Sequence, residues 1–133
     1  MQNMSPGKSA LGLDANIVAG LCYVPVCYLN LILSIITLVT DKTNKLARFH
    51  AFQSIFLTVG LIVVMIRYFC AGIIGAILDN ALGYPIFTSL LGILCMVLGL
   101  ALLIAVIIAA IKAFQGQIYK LPIIGNMADK YSG

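Results

Sequence analysis

Asn44-Lys45-Leu46-Ala47-Arg48-Phe49-His50-Ala51-Phe52-Gln53-Ser54 closes one long apolar run and opens the next. It gathers two basic groups, an imidazole and two amides where the chain on either side is almost wholly apolar. This pattern reads as a membrane-surface loop turning into a transmembrane helix.

The surrounding composition agrees. The chain has 133 residues, 62% hydrophobic and 9% charged, with a mean hydropathy of +1.12. A soluble domain is about 25% charged, and a water-soluble chain this short could not hide so much apolar surface. The bilayer is therefore the solvent for most of it. The short alternating segments of a barrel are absent, so the spanning elements are expected to be helices. No cleavable signal peptide is expected, because the first apolar run is far longer than an h-region and no small-x-small site follows it. The fold class is an all-α membrane protein: three transmembrane helices and a short interfacial C-terminal segment, in one domain over residues 1–133.

The first expected span covers residues 15–40, about 39 Å at about 1.5 Å per residue, with Asp14 or Asn16 as its cap and a kink at Pro25. Asn16, Gly20, Tyr23, Cys27, Asn30, Ser34, Thr37 and Asp41 recur in steps of four and three, a polar and small seam at the coiled-coil period. Lipid does not tolerate Asn30 without a partner, so the seam should face other helices. The second span, 49–78, turns Phe52, Ile55, Phe56, Val59, Ile62, Val63 and Ile66 to lipid, and His50, Gln53, Ser54, Thr58, Gly60 and Arg67 to protein, with a bend or end near Cys70-Ala71-Gly72. Asp79-Asn80-Ala81-Leu82-Gly83-Tyr84-Pro85 is the clearest turn. It leads into the third span, 86–111, striped with Ser89, Gly92, Cys95 and Gly99. Residues 112–133 form a tail at the membrane surface, with a small helix able to open at Pro122.

Charge sets the expected orientation. Lys42, Lys45 and Arg48 in the loop, and Lys112, Lys120 and Lys130 in the tail, fall on one side of an even number of crossings, with Lys8 and Arg67 towards the other. That split predicts loop and C-terminus in the cytoplasm and N-terminus outside.

Two residue sets stand out as candidate sites. Lys45, Arg48, His50, Lys112 and Lys120 would hold a lipid phosphate or a partner's carboxylate at a helix N-terminus. Tyr23, Asn30, Ser34, Gln53 and Arg67 form a buried polar seam. Arg67 lies about 28 Å beyond Arg48 along a straight helix, and is expected to turn inward at the level of Leu21 to Tyr23, with Tyr23 as its partner.

Other chemistries find little footing. His50 is the single histidine, and haem or pigment ligation by it would lack a second axial ligand or attachment motif; a hydrogen-bonded histidine between helices is expected instead. Cys22, Cys27, Cys70 and Cys95 all lie in apolar runs without a CxxC pair and read as small core residues. There is no Glu, the four Asp are scattered, and neither a nucleophile with a base nor a phosphate-cradling loop can be assembled. The expectation is no catalysis, no cofactor, no metal and no nucleic-acid partner.

Arg48-Phe49-His50-Ala51-Phe52-Gln53-Ser54 resembles the RFHA-x-Q signature of the bacterial DUF4870 family, related to Tic20 of the chloroplast inner-envelope import machinery. The segment from Lys112 through Leu121-Pro122 to Gly125 resembles that family's closing segment. The resemblance spans residues of about 15 to 130. It implies a small multi-pass protein of the bacterial inner (cytoplasmic) membrane, a scaffold or transport component in a larger membrane assembly, contacting lipids and other membrane subunits. An accessory subunit of an energy-converting complex, or a small channel or carrier along the Asn30 seam, stays open beside it.

Overall fold

The computed structural model describes residues 2–3, 7–24 and 29–133. Five helices dominate: α1 (Ala15–Leu21), α2 (Leu29–Thr40), α3 (Lys45–Leu82), α4 (Ile86–Phe114) and α5 (Ile124–Ser132). A two-residue strand β1 (Gln2–Asn3) pairs antiparallel with β2 (Gln117–Ile118), Gln2 opposite Ile118. The all-helical expectation holds apart from this short ladder. Helices α3, of 38 residues, and α4, of 29, are long and apolar enough to cross a membrane.

The first expected span is not one helix. α1 ends in a turn in which Cys22 N–H donates to Val18 and Tyr23 N–H to Gly20, and the described part of α2 is Leu29–Thr40. At 12 residues, α2 is about 18 Å long, against about 30 Å of hydrocarbon. Pro25 and Cys27 lie outside the described residues. Asp14 occupies the N-cap position of α1 with extended backbone but makes no side-chain cap hydrogen bond.

Local chemistry explains the long helices. Asn44 caps α3 by accepting Ala47 N–H at 3.3 Å. Gly83, at φ 77°, closes it by donating to the Asp79 carbonyl at 2.8 Å. No interruption occurs at Cys70–Gly72; the helix runs through. Asp79 then reaches across the turn: its carboxylate takes Phe87 N–H at 2.8 Å, Thr88 N–H at 2.9 Å and the Thr88 hydroxyl, satisfying donors at the start of α4 that have no partner within the helix.

The chain divides into two compact units, Met1–Thr58 with Ala105–Gly133, and Val59–Ile104. The first holds the core: Ala15, Val18, Ala19 and Cys22 of the α1 region, Leu46, Ala47, Phe49 and Ala51 of α3, Ala109 and Ala113 of α4, then Ile118, Leu121 and Ala128. Gly20 lies so close to the Phe114 ring that a Cβ there would collide with it. The N-terminal segment joins this unit, since Ala10 N–H donates to the Asp41 carboxylate at 3.1 Å and β1 pairs with β2. It lies beside the loop and the tail, not apart from them as the charge count suggested. The second unit is the α3–α4 hairpin. It leaves large apolar side chains such as Met65, Phe69, Leu90 and Met96 more than 60% exposed, as suits a lipid solvent.

Candidate functional site

The first three turns of α3 organise the first unit. Their inward face presents Phe49, His50, Gln53 and Ser54, all buried, at the i, i+3, i+4 spacing of one helix stripe. Tyr23 donates its hydroxyl to His50 Nδ1 at 2.9 Å, and His50 Nε2 lies 3.1 Å from the Gln117 carbonyl. A carbonyl only accepts, so Nε2 carries the proton and Nδ1 is the acceptor for Tyr23. Gln53 Nε2 donates to the Tyr119 carbonyl at 3.2 Å, and Ser54 donates to the Cys22 carbonyl at 2.5 Å. Three side chains of one helix thus bind the end of α1 and the segment after α4. Both imidazole nitrogens are engaged and His50 is fully buried, so neither nitrogen is free for a pigment or haem.

The polar seam survives the break in the helix. Ser34 and Thr37 are fully buried and donate to the carbonyls of Asn30 and Leu33, while Asn30 reaches Thr58 at 3.3 Å. Asn30, Ser34 and Thr37 thus have partners within the protein, while the Asn16 Oδ1 and Gln53 Oε1 atoms are buried without one among the described residues. Arg67 belongs to the second unit, where it is exposed and borders a shallow cavity of about 250 Å³ with Val64, Tyr68, Ala71, Leu91 and Cys95. Tyr23, expected to face it, is committed to His50.

The basic residues are drawn together in part. Arg48 donates from Nε to the Ser132 carbonyl and from Nη1 to the Asp41 carbonyl, both at 3.4 Å, and its guanidinium lies 5.8 Å from the centre of the Phe52 ring. Lys120 pairs with Asp129 at 2.7 Å. The Lys120 hydrogen bond holds the Asp129 carboxyl below the usual range, with help from the charges of Lys120 and Lys45. Lys45, Arg48 and Lys120 therefore meet around α5, whose Tyr131 also packs on Phe52 and Phe56. Part of the face expected to meet lipid is thereby covered by α5. His50 does not join this surface; it lies in the core. Lys112 reaches Gln115 at 3.4 Å instead.

Asp41 is the residue that sequence reasoning underrated. It is 2% exposed and closes the loop by taking Asn44 N–H and Ala10 N–H, each at 3.1 Å. Burial works against its charge, but hydrogen bonds from Asn44, Ser9, Ala10 and Thr43 outweigh it and keep its carboxyl below the ordinary range. Its place at the end of the seam was visible; its grip on Ala10 was not. Gln117, Tyr119 and Ser132 act through backbone carbonyls, for which side-chain identity gives no signal.

The sequence profile of the magnetosome magnetite crystal formation protein family matches residues 14–128. A UPF0132 membrane protein of Methanocaldococcus jannaschii is 36% identical over 126 residues, covering 95% of this chain and 96% of the relative. A second UPF0132 membrane protein of that organism is 32% identical over 124 residues, covering 92% of this chain and 73% of the relative. No solved structure matches. These findings correct the DUF4870 and Tic20 resemblance: both motifs that suggested it lie inside the stretch matched by the magnetosome profile. In this structure Phe49, His50 and Gln53 of the first motif are core-building residues, a duty that carries no import role with it.

Proposed function

We propose, from the premise that this chain belongs to the magnetosome magnetite crystal formation protein family, that it is a non-catalytic membrane protein organising a larger membrane assembly. In that family's setting its part is structural: it docks on other membrane subunits through its helices and on anionic head groups or a partner's carboxylate through its basic face. The observation that carries this reading is the small-residue face of the hairpin. Gly72 on α3 and Gly92 and Gly99 on α4 have open space where a Cβ would stand. Such faces let helix backbones approach closely, and within this unit nothing uses them. Lys45, Arg48, Lys112 and Lys120 support the charged half of the reading, with the cytoplasm as their side.

Purification in mild detergent followed by native mass spectrometry tests it. The expected result is a set of membrane subunits at fixed ratio that is lost when Gly92 and Gly99 are both replaced by Leu. A chain that carries only lipid, with or without those substitutions, overturns it.

A further inference from the structure

The chain from Ala15 to Thr40 returns to where it began. At the start, Ala10 N–H is bonded to Asp41 across 31 positions. Asn16 lies against Gly116 and Gly20 against the Phe114 ring, so α1 runs beside the end of α4. The Cys22 carbonyl is held by Ser54 and the Tyr23 hydroxyl by His50. Asn30, at the start of α2, is level with Thr58, about 15 Å beyond Arg48 along α3. α2 then climbs back to Asp41, whose carbonyl meets Arg48.

We propose that residues 15–24 and 29–40 are the two arms of a re-entrant hairpin that enters and leaves the bilayer on one face, and that the outward side of α2 is a surface for the acyl chains of that single leaflet. A true crossing would separate Ala10 from Asp41 by about 30 Å of hydrocarbon, which their hydrogen bond forbids. Leu29–Thr40 of α2 spans about 18 Å, short of the roughly 30 Å of hydrocarbon. Its outward residues Leu29, Ile32, Ile35 and Val39 are 47%, 53%, 49% and 68% exposed, an apolar stripe that no described residue covers. Irregular backbone at membrane depth is tolerated only where protein satisfies it, and Ser54 does so for the Cys22 carbonyl. The hairpin also puts Lys8 on the face of Lys42, Lys45, Arg48, Lys112, Lys120 and Lys130. Of the eight basic residues, only Arg67 belongs to the other unit, a sharper positive-inside bias than a crossing would give.

The proposal rests on α3 and α4 crossing the membrane, not on the assembly reading. The test is labelling of the full-length chain in sealed, right-side-out membrane vesicles with an impermeant maleimide, in a background where the four native cysteines are Ser. Single cysteines are introduced by Lys8→Cys, Lys42→Cys, Tyr84→Cys and Lys130→Cys. Vesicles opened with detergent supply the total for each site, and the same substitutions as fusions to a folding-insensitive epitope repeat the reading by antibody access. Lys8, Lys42 and Lys130 should be protected together while Tyr84 is labelled. Lys8 labelled along with Tyr84, with Lys42 protected, overturns the hairpin and restores a crossing. Tyr84 sharing the protection of Lys42 overturns it too, but by removing the α3–α4 crossing on which it rests.

Discussion

Ala10 and Asp41 stand 31 positions apart and are joined by a 3.1 Å hydrogen bond from backbone N–H to carboxylate. The same carboxylate takes the Asn44 N–H, so one buried side chain ties the N-terminal segment to the loop before α3. Its carboxyl lies below the ordinary range because the charged form collects these bonds despite burial. A depressed carboxyl stabilises the fold above its unfolded value, and the contribution disappears as pH falls through about 4 and on to the folded value. Thermal melts of the detergent-solubilised protein should therefore lose stability on acidification over that window. Asp41→Asn should flatten that acid limb and lower the melting temperature at neutral pH. An identical pH profile in the variant would show that Asp41 is not the responsible group.

Tyr23→Phe isolates the bond to His50. The ring volume is kept and only the hydroxyl goes, leaving Nδ1 a buried acceptor without a donor. A buried group left unsatisfied costs about 1–3 kcal/mol. The expected outcome is a lower midpoint in denaturant or heat, with helix content by circular dichroism unchanged. His50→Gln should be at least as damaging, because it disturbs the contacts to both Tyr23 and Gln117. Wild-type stability in both variants would mean that the pair contributes nothing to the fold.

Asp79 works as a cap supplied from across the turn. Asp79→Ala leaves the Phe87 and Thr88 N–H groups and the Thr88 hydroxyl without their acceptor. Loss of a helix cap costs about 0.5–2 kcal/mol. Amide exchange should rise first at residues 86–89 and leave the region around His50 protected. Asp79→Asn keeps one acceptor oxygen and should lie between wild type and Ala.

Which of these features the sequence made visible follows from the range of each interaction. The apolar runs, the turn from Asp79 to Pro85 and the inward face of His50, Gln53 and Ser54 depend on neighbours within a few positions, and periodicity reports them. The seam through Ser34 and Thr37 was legible for the same reason, and both residues are fully buried. The break after Leu21 was not, because an apolar stretch with a 3.5-residue repeat reads alike whether it crosses a bilayer or doubles back. What distinguishes the two is the pairing of Ala10 with Asp41 and of Tyr23 with His50, contacts over 31 and 27 positions. Arg67 lies beyond such reading for a related reason: a wheel gives the angle of a side chain but not whether protein or lipid fills that direction.

Arg48 is the residue where structural and binding roles overlap, and two substitutions separate them. Its guanidinium bonds the carbonyls of Ser132 and Asp41 and lies over Phe52. Arg48→Ala removes both the charge and these contacts, and should loosen α5 and reduce the anionic lipid or partner retained through purification. Arg48→Lys keeps the charge but loses the planar fork that reaches two carbonyls at once and stacks on an aromatic face. Proteolysis within residues 124–132 should therefore quicken in both variants. Retained phospholipid, measured by mass spectrometry, should fall in the Ala variant and stay near wild type in the Lys variant. Lys120→Ala is the control, since its exposed pair with Asp129 is worth about 0–1 kcal/mol. It should lower lipid retention with little effect on stability. Lipid and partner content unchanged in Arg48→Ala and Lys120→Ala alike would leave these cations as anchors of α5 and reject the binding role.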